Sequence, residues 1–112
     1  MKTGDIVVIP FPFSELKNIK VRPAAILGFT KDIYLDVIVC AISSVVPSKL
    51  TSNEMLIYMN SINNLRANSI IKIDRIATLK KESIIKQLGK LSDDEIVELK
   101  SKFKSLIDYS NS

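Results

Sequence analysis

Histidine and tryptophan are absent from the 112 residues, and cysteine occurs once. Each gap removes a class of chemistry. Without histidine no Ser-His-Asp or Cys-His arrangement is possible. Without clustered His, Cys, Asp or Glu there is no set of metal ligands, so no metal is expected. Neither a Walker loop nor G-x-G-x-x-G is present, and no cofactor is expected. The single cysteine, Cys40, sits inside the apolar run "DVIVCAIS". No disulfide can form within the chain, the thiol reads as a small core residue, and a reducing cytoplasm fits. No apolar stretch approaches the ~20 residues of a membrane-spanning helix. The start, "MKTGDIVV", meets Asp5 at once and lacks the apolar region of a signal peptide. Glycine occurs three times, and no Ser/Gly linker, repeat or low-complexity tract breaks the chain, so residues 1–112 are expected to form one domain.

What is present is basic. Sixteen Lys and Arg against twelve Asp and Glu give a formal charge of +4. Four of the twelve acids fall in "DDEIVE", residues 93–98, which leaves the rest of the chain more basic still. The charge reads either as an anionic partner, nucleic acid or an acidic polypeptide, or as ordinary lysine-rich solubility.

Hydrophobic residues make up 46% of the chain, enough for one core. Residues 5–9, "DIVVI", are a β-branched run bounded by Pro10 and Pro12. "PAAILGF" (23–29), "YLDVIVCAI" (34–42) and "EMLIYM" (54–59) read as further strands. "SIIKIDRIATL" reads as a strand with a bulge or bend near Asp74 and Arg75. These two residues form either a structural ion pair or part of a subunit contact. "LSDDE" is a capping box, with Ser92 at the N-cap, Glu95 at N3, and Leu91 and Ile96 as the hydrophobic staple. Ile96, Leu99, Phe103, Leu106 and Ile107 then recur at helical spacing. The fold class is mainly β, five or six mostly antiparallel strands in a small barrel or twisted sheet, with a C-terminal amphipathic helix.

An enzyme built from these residues must work with Arg, Lys, Ser, Thr, Tyr and single carboxylates. Cleavage of RNA tolerates that restriction, because the nucleophile, the 2′-hydroxyl, belongs to the substrate. The protein must then steady charge on a phosphate, which a guanidinium's rigid fork of donors suits. Arg22 stands before Pro23, which narrows the arginine's backbone freedom. An Arg-Pro pair at a strand entrance also has a purely structural reading.

Four segments occur in register: "GDIVVIPFPF", "KVRPAAIL", "DVIVCAISS" and "IKIDRIATLKKESIIKQLGKLSDDE". Together they resemble the MazF/PemK family of toxins from bacterial type II toxin–antitoxin systems, over roughly residues 4–106. The resemblance implies an SH3-like β barrel of the MazF/PemK/CcdB type, usually a homodimer. It implies a metal-independent endoribonuclease that cuts single-stranded RNA and leaves 2′,3′-cyclic phosphate and 5′-hydroxyl ends. It also implies a cognate antitoxin whose acidic segment folds over the site. The family's catalytic arginine falls on Arg22 and its catalytic threonine on Ser43, with Ser44 as the neighbouring alternative. Many members carry glutamate where this chain has Lys17, and glutamine where it has Val45. The nearest carboxylate to Lys17 is Glu15, a candidate base or orienting group. Lys17, Lys20 and Lys49 are candidates to guide the RNA backbone or are solvated loop lysines. Phe11 and Phe13 pack in the core or stack a base. Two other readings share this architecture: a CcdB-like toxin that binds a protein such as gyrase, and a basic SH3-like interaction module.

Overall fold

The computed structural model describes residues 1–10 and 20–107. Phe11, Phe13, Glu15 and Lys17 lie outside the described residues. The strands are β1 (Asp5–Pro10), β2 (Val21–Phe29), β3 (Val37–Ser43), β4 (Glu54–Ile57), β5 (Ser69–Leu79) and β6 (Lys86–Lys90). One turn of 3₁₀ helix (Lys81–Ser83) precedes β6, and α1 (Asp93–Ile107) follows it. All pairings are antiparallel, in the order β4-β5-β3-β2-β1-β6.

The apolar runs explain why these segments pair. The curled sheet buries both of its faces. On one, Ile6, Ala25, Cys40, Ile42, Met55, Ile57, Ile71 and Ile73 meet Leu99 of α1. On the other, Val7, Ile9, Ala24, Ile26, Val37 and Val39 pack with Phe29, Ala77, Leu79 and Ile84. Strands buried twice need apolar residues at successive positions, which is what "DIVVI" and "VIVCAI" supply. The β propensity of Val and Ile suits the pleated surface.

Among the described residues, three bulges bend the sheet. In β3–β5, Cys40 pairs with Ile76 while Ala41 pairs with Lys72, so residues 73–75 have no ladder partner on β3. The expected break near Asp74 and Arg75 is this bulge. In β2 the extra residue is Leu27, and in β6 it is Leu88. A bulged residue falls out of the ladder. Here side chains take up both carbonyls: the Thr3 hydroxyl donates to Leu27 O at 3.0 Å, and Asn64 Nδ2 donates to Leu88 O at 2.8 Å.

The capping box forms as expected. Ser92 N–H donates to Glu95 Oε1 at 2.8 Å, and Glu95 N–H donates to Ser92 Oγ at 3.2 Å. Asp93, Asp94 and Glu95 occupy the first turn, where the helix dipole favours acids. Leu99 is fully buried, and Ile96, Phe103 and Leu106 are half-buried against the core. Ile107 departs from the expected stripe and is exposed, at the last residue of the helix.

Two further differences concern strand ends. The third strand begins at Val37, not residue 34. Asp32 Oδ1 accepts from the Thr30 hydroxyl (2.9 Å) and from the backbone N–H of Tyr34 (3.1 Å) and Leu35 (3.3 Å), which turns the chain. The Thr30 hydroxyl, helped by those amides, holds the Asp32 carboxyl below the usual carboxylate range. Leu35 then adopts φ 51°, a left-handed conformation closed to a strand. The fourth strand stops at Ile57, where the chain enters a turn built on two asparagines. Asn60 Oδ1 accepts from the N–H of Ile62 (2.9 Å) and Asn63 (2.8 Å). Asn63 Oδ1 accepts from the N–H of Asn60 (3.0 Å) and Leu65 (3.0 Å), and its Nδ2 donates to Tyr58 O at 2.9 Å. The turn then seals the outer edge of β6: Lys90 N–H donates to Ile62 O at 3.2 Å. A Cβ at Gly89 would fall within 2.6 Å of the Ile62 and Asn63 backbone, so only glycine lets turn and strand approach this closely.

Asn63 is fully buried, and Asn63→Ala removes its bonds to the N–H groups of Asn60 and Leu65 and to the Tyr58 carbonyl, leaving the buried Leu65 N–H unsatisfied. At roughly 1–3 kcal/mol per buried polar group left unsatisfied, the loss should lower the melting temperature by about 10 °C or more. Thermal unfolding followed by circular dichroism measures it. A drop of a degree or two would mean that the turn does not hold β6.

Candidate functional site

Arg22 is the second residue of β2, and Ser43 is the last of β3. Ala24 pairs with Ala41. Carrying that register two residues further sets Arg22 across from Ser43, on the same face. β3 ends there because Ser43 Oγ accepts from Val45 N–H at 3.1 Å, a local turn that draws the backbone out of the ladder. The hydroxyl proton of Ser43 remains a donor after that bond is made. Arg22 Nη1 donates to Val21 O at 3.0 Å.

Two adjoining depressions meet at this end of the sheet. The smaller, about 320 Å³, is lined by Arg22, Ala41, Ile42, Ser43, Ser44, Val45, Lys72 and Arg75. Lys72 and Arg75 are three apart on β5 and in a regular strand would face opposite ways. The bulge at residues 73–75 reverses one of them, and both line the same hollow. The larger depression, about 590 Å³, shares Arg22, Ile42 and Ser44 with the first. Its remaining walls come from β1 (Val8), the β2 entrance (Val21, Pro23), residues 64–69 and the start of β6. Arg66 and Lys86 are its further cations.

Among the described residues, five cationic side chains and no carboxylate line the two depressions: Arg22, Arg66, Lys72, Arg75 and Lys86. The local field favours an anion. Nor do any three His, Cys, Asp or Glu side chains among the described residues gather as metal ligands.

The sequence candidates divide accordingly. Arg22, Ser43 and Ser44 come together, with Val45 beside them. Lys20 is exposed just ahead of β2, and Lys49 is exposed in the loop after β3; neither lines a depression. Arg75 lines the smaller hollow and Asp74 does not. Arg66, Lys72 and Lys86 have no sequence signal, since only the asparagine turn, the bulge in β5 and the β1–β6 pairing bring them to Arg22.

Residues 2–107 match the family described as "PemK-like, MazF-like toxin of type II toxin-antitoxin system". The chain belongs to that family. Solved structures share the fold of this MazF/PemK-type chain. An endoribonuclease in complex with its cognate antitoxin, from a mycobacterial species, superposes with a TM-score of 0.74 at 11% identity, spanning 100% of this chain and 99% of that one. MazF from Deinococcus radiodurans gives 0.69 at 21% identity, with 96% of each chain covered. The Mycobacterium tuberculosis toxin MazF-mt6 gives 0.66 at 18% identity, covering 96% of this chain and 99% of that one. A search of curated proteins gave no match. The expected small barrel is therefore present as a curled antiparallel sheet, capped at one side by α1.

The same geometry places Cys40 away from any chemistry. It is fully buried in the core, and burial pushes its thiol up to about 12. The reactive thiolate is therefore suppressed at neutral pH. In the folded protein Cys40 should resist a thiol reagent at pH 8 and should react fully in denaturant. Rapid labelling of the native protein would contradict the packing around β3.

Proposed function

We propose that this family member is a metal-independent endoribonuclease, the toxin of a toxin–antitoxin pair, acting on single-stranded RNA in the cytoplasm. The observation that carries this reading is the placement of Arg22 across from Ser43 in a cationic hollow. The substrate's 2′-hydroxyl gives its proton to a base and attacks the adjacent phosphorus; the bond to the 5′-oxygen breaks, and that oxygen takes up a proton as it leaves. The products are a 2′,3′-cyclic phosphate and a 5′-hydroxyl. Arg22 steadies the charge that grows on the phosphoryl oxygens, and the Ser43 hydroxyl donates a hydrogen bond to one of them. Lys72 and Arg75 hold the neighbouring backbone. An arginine guanidinium stays protonated in proteins, so the base is a different group. Glu15, in the segment leading to β2, is the candidate.

The purified protein should cut single-stranded RNA in excess EDTA and leave cyclic phosphate ends. Arg22→Ala should lose about 10²-fold or more in rate, the scale of one transition-state donor. Ser43→Ala should slow cleavage with little loss of RNA binding, and Ser43→Thr should retain it, since threonine keeps the hydroxyl. Equal cleavage by wild type and Arg22→Ala would identify a contaminating nuclease and end the assignment.

Two partners accompany this reading, a second copy of the chain and an acidic antitoxin. The mycobacterial neighbour is an endoribonuclease with its cognate antitoxin, which supports the second. Exposed Val45, Val46 and Leu50, in the loop beside Ser43, supply an apolar component next to the cations. Exposed Tyr58, Met59 and Ile62 on the asparagine turn offer apolar surface to a second copy. An acidic segment ordering over residues 14–22 and 44–53 would compete directly with RNA. With about four or five phosphate contacts, log K for RNA should fall against log salt with a slope near −3. Binding of antitoxin should fall less steeply, because it also buries apolar surface. Labelled RNA, Arg22→Ala protein and an antitoxin peptide in one titration test this. Simultaneous binding without mutual loss of affinity would rule out a shared surface.

A further inference from the structure

The smaller hollow accounts for a phosphate and leaves the larger one unexplained. That depression has apolar walls, including Val8, Pro23, Ile85 and Leu88, and a rim carrying Asn64 and Arg66. Its volume, about 590 Å³, exceeds what a phosphate needs and lies within the range of pockets that enclose small organic ligands. It opens onto Arg22 and Ser44, the residues it shares with the hollow containing Ser43. A group attached to a phosphate held at Arg22 would therefore enter it directly.

Asn64 is held in place from both ends. Its backbone N–H donates to Asn60 O at 2.9 Å, and it follows Asn63, the buried hub of the turn. Its φ of 56° is left-handed, a conformation asparagine accepts more readily than most residues. Its amide is oriented by the 2.8 Å bond to the bulged Leu88 carbonyl. A second amide hydrogen and the Oδ1 acceptor remain without a partner among the described residues. A fixed donor and acceptor side by side at the rim of an apolar slot are what reading the edge of an unstacked base requires.

We propose that the larger depression is a nucleobase subsite next to the scissile phosphate, and that the Asn64 amide reads the edge of the base it holds. This rests on the ribonuclease reading above. The aliphatic walls of Val8, Pro23, Ile85 and Leu88 cover the faces of the base, and Arg66 meets the backbone or the base from the rim. Asn64 is a specificity-determining residue in this account. It takes no part in the bond-breaking step.

The test is cleavage of an RNA pool randomised around the cut, read by sequencing the products of wild type, Asn64→Gly and Lys31→Ala. Glycine accepts a φ of 56°, so Asn64→Gly removes the amide without straining the turn. Lys31 lies in the exposed turn at the opposite end of β2 and serves as the control. Wild type and Lys31→Ala should share one base preference at a position adjoining the cut. Asn64→Gly should still cut but lose about tenfold of that discrimination, the scale of one base-edge contact, at that position alone. Should Asn64→Gly fail to fold, Asn64→Asp keeps an acceptor, loses the donors, and should change which base is preferred. Cleavage with unaltered preference in the folded variants would overturn the base subsite and leave the ribonuclease reading standing. A changed self-association midpoint with unaltered base preference would make the depression a contact between copies and overturn it equally. Wild type that neither binds nor cuts any RNA would overturn both readings.

Discussion

Backbone pairing between β2 and β3 decides where the candidate site residues lie. The register that joins Ala24 to Ala41 sets Arg22 across from Ser43. A slip of one residue would turn Arg22 to the far side of the sheet and carry its cation away from the serine hydroxyls. The core resists that slip. Ala24 and Ile26 on one face, and Ala25 on the other, are all buried, so any shift would also move apolar side chains out of both packed layers. Site geometry and core packing are thus two results of a single alignment.

The bulges give that alignment its curvature and its charges. An unbroken β5 would send Lys72 and Arg75 to opposite faces. Residues 73–75 remove that conflict and gather positive charge beside Ser43. The bulge at Leu88 frees a carbonyl for Asn64 and so fastens the asparagine turn to β6. That contact also covers the outer edge of β6, where unpaired N–H and C=O groups would otherwise recruit a foreign strand.

Local signals were legible in the residues. The capping box before α1, the apolar runs of β1 to β5 and the break near Asp74 each depend on neighbours a few positions away. Arg22 and Ser43 were singled out through the family resemblance; that they line one hollow follows from the β2–β3 register. What escaped reading depends on distant contacts. β6, "KQLGK", has weak strand propensity and forms because β1 and residues 62–64 supply its hydrogen bonds. Tyr34 and Leu35 look like strand residues, but Asp32 captures their amides first. Arg66 and Lys86 are scattered lysine and arginine in the sequence; only the asparagine turn and the β1–β6 pairing carry them to the cleft.

The order of strands has a bearing on synthesis. β1 is made first, yet one of its two partners, β6, is made last among the strands. The larger cleft takes walls from both of them, and from residues 64–69 between. A nascent chain can pair β1, β2 and β3, and so set Arg22 opposite Ser43, while Lys86 and Leu88 are still inside the ribosome. Until residues beyond Lys90 emerge, the cleft lacks a wall and the Asn64 amide lacks the carbonyl that orients it. The larger cleft is therefore complete only after β6 has been released, later than the β2–β3 pairing that brings Arg22 to Ser43.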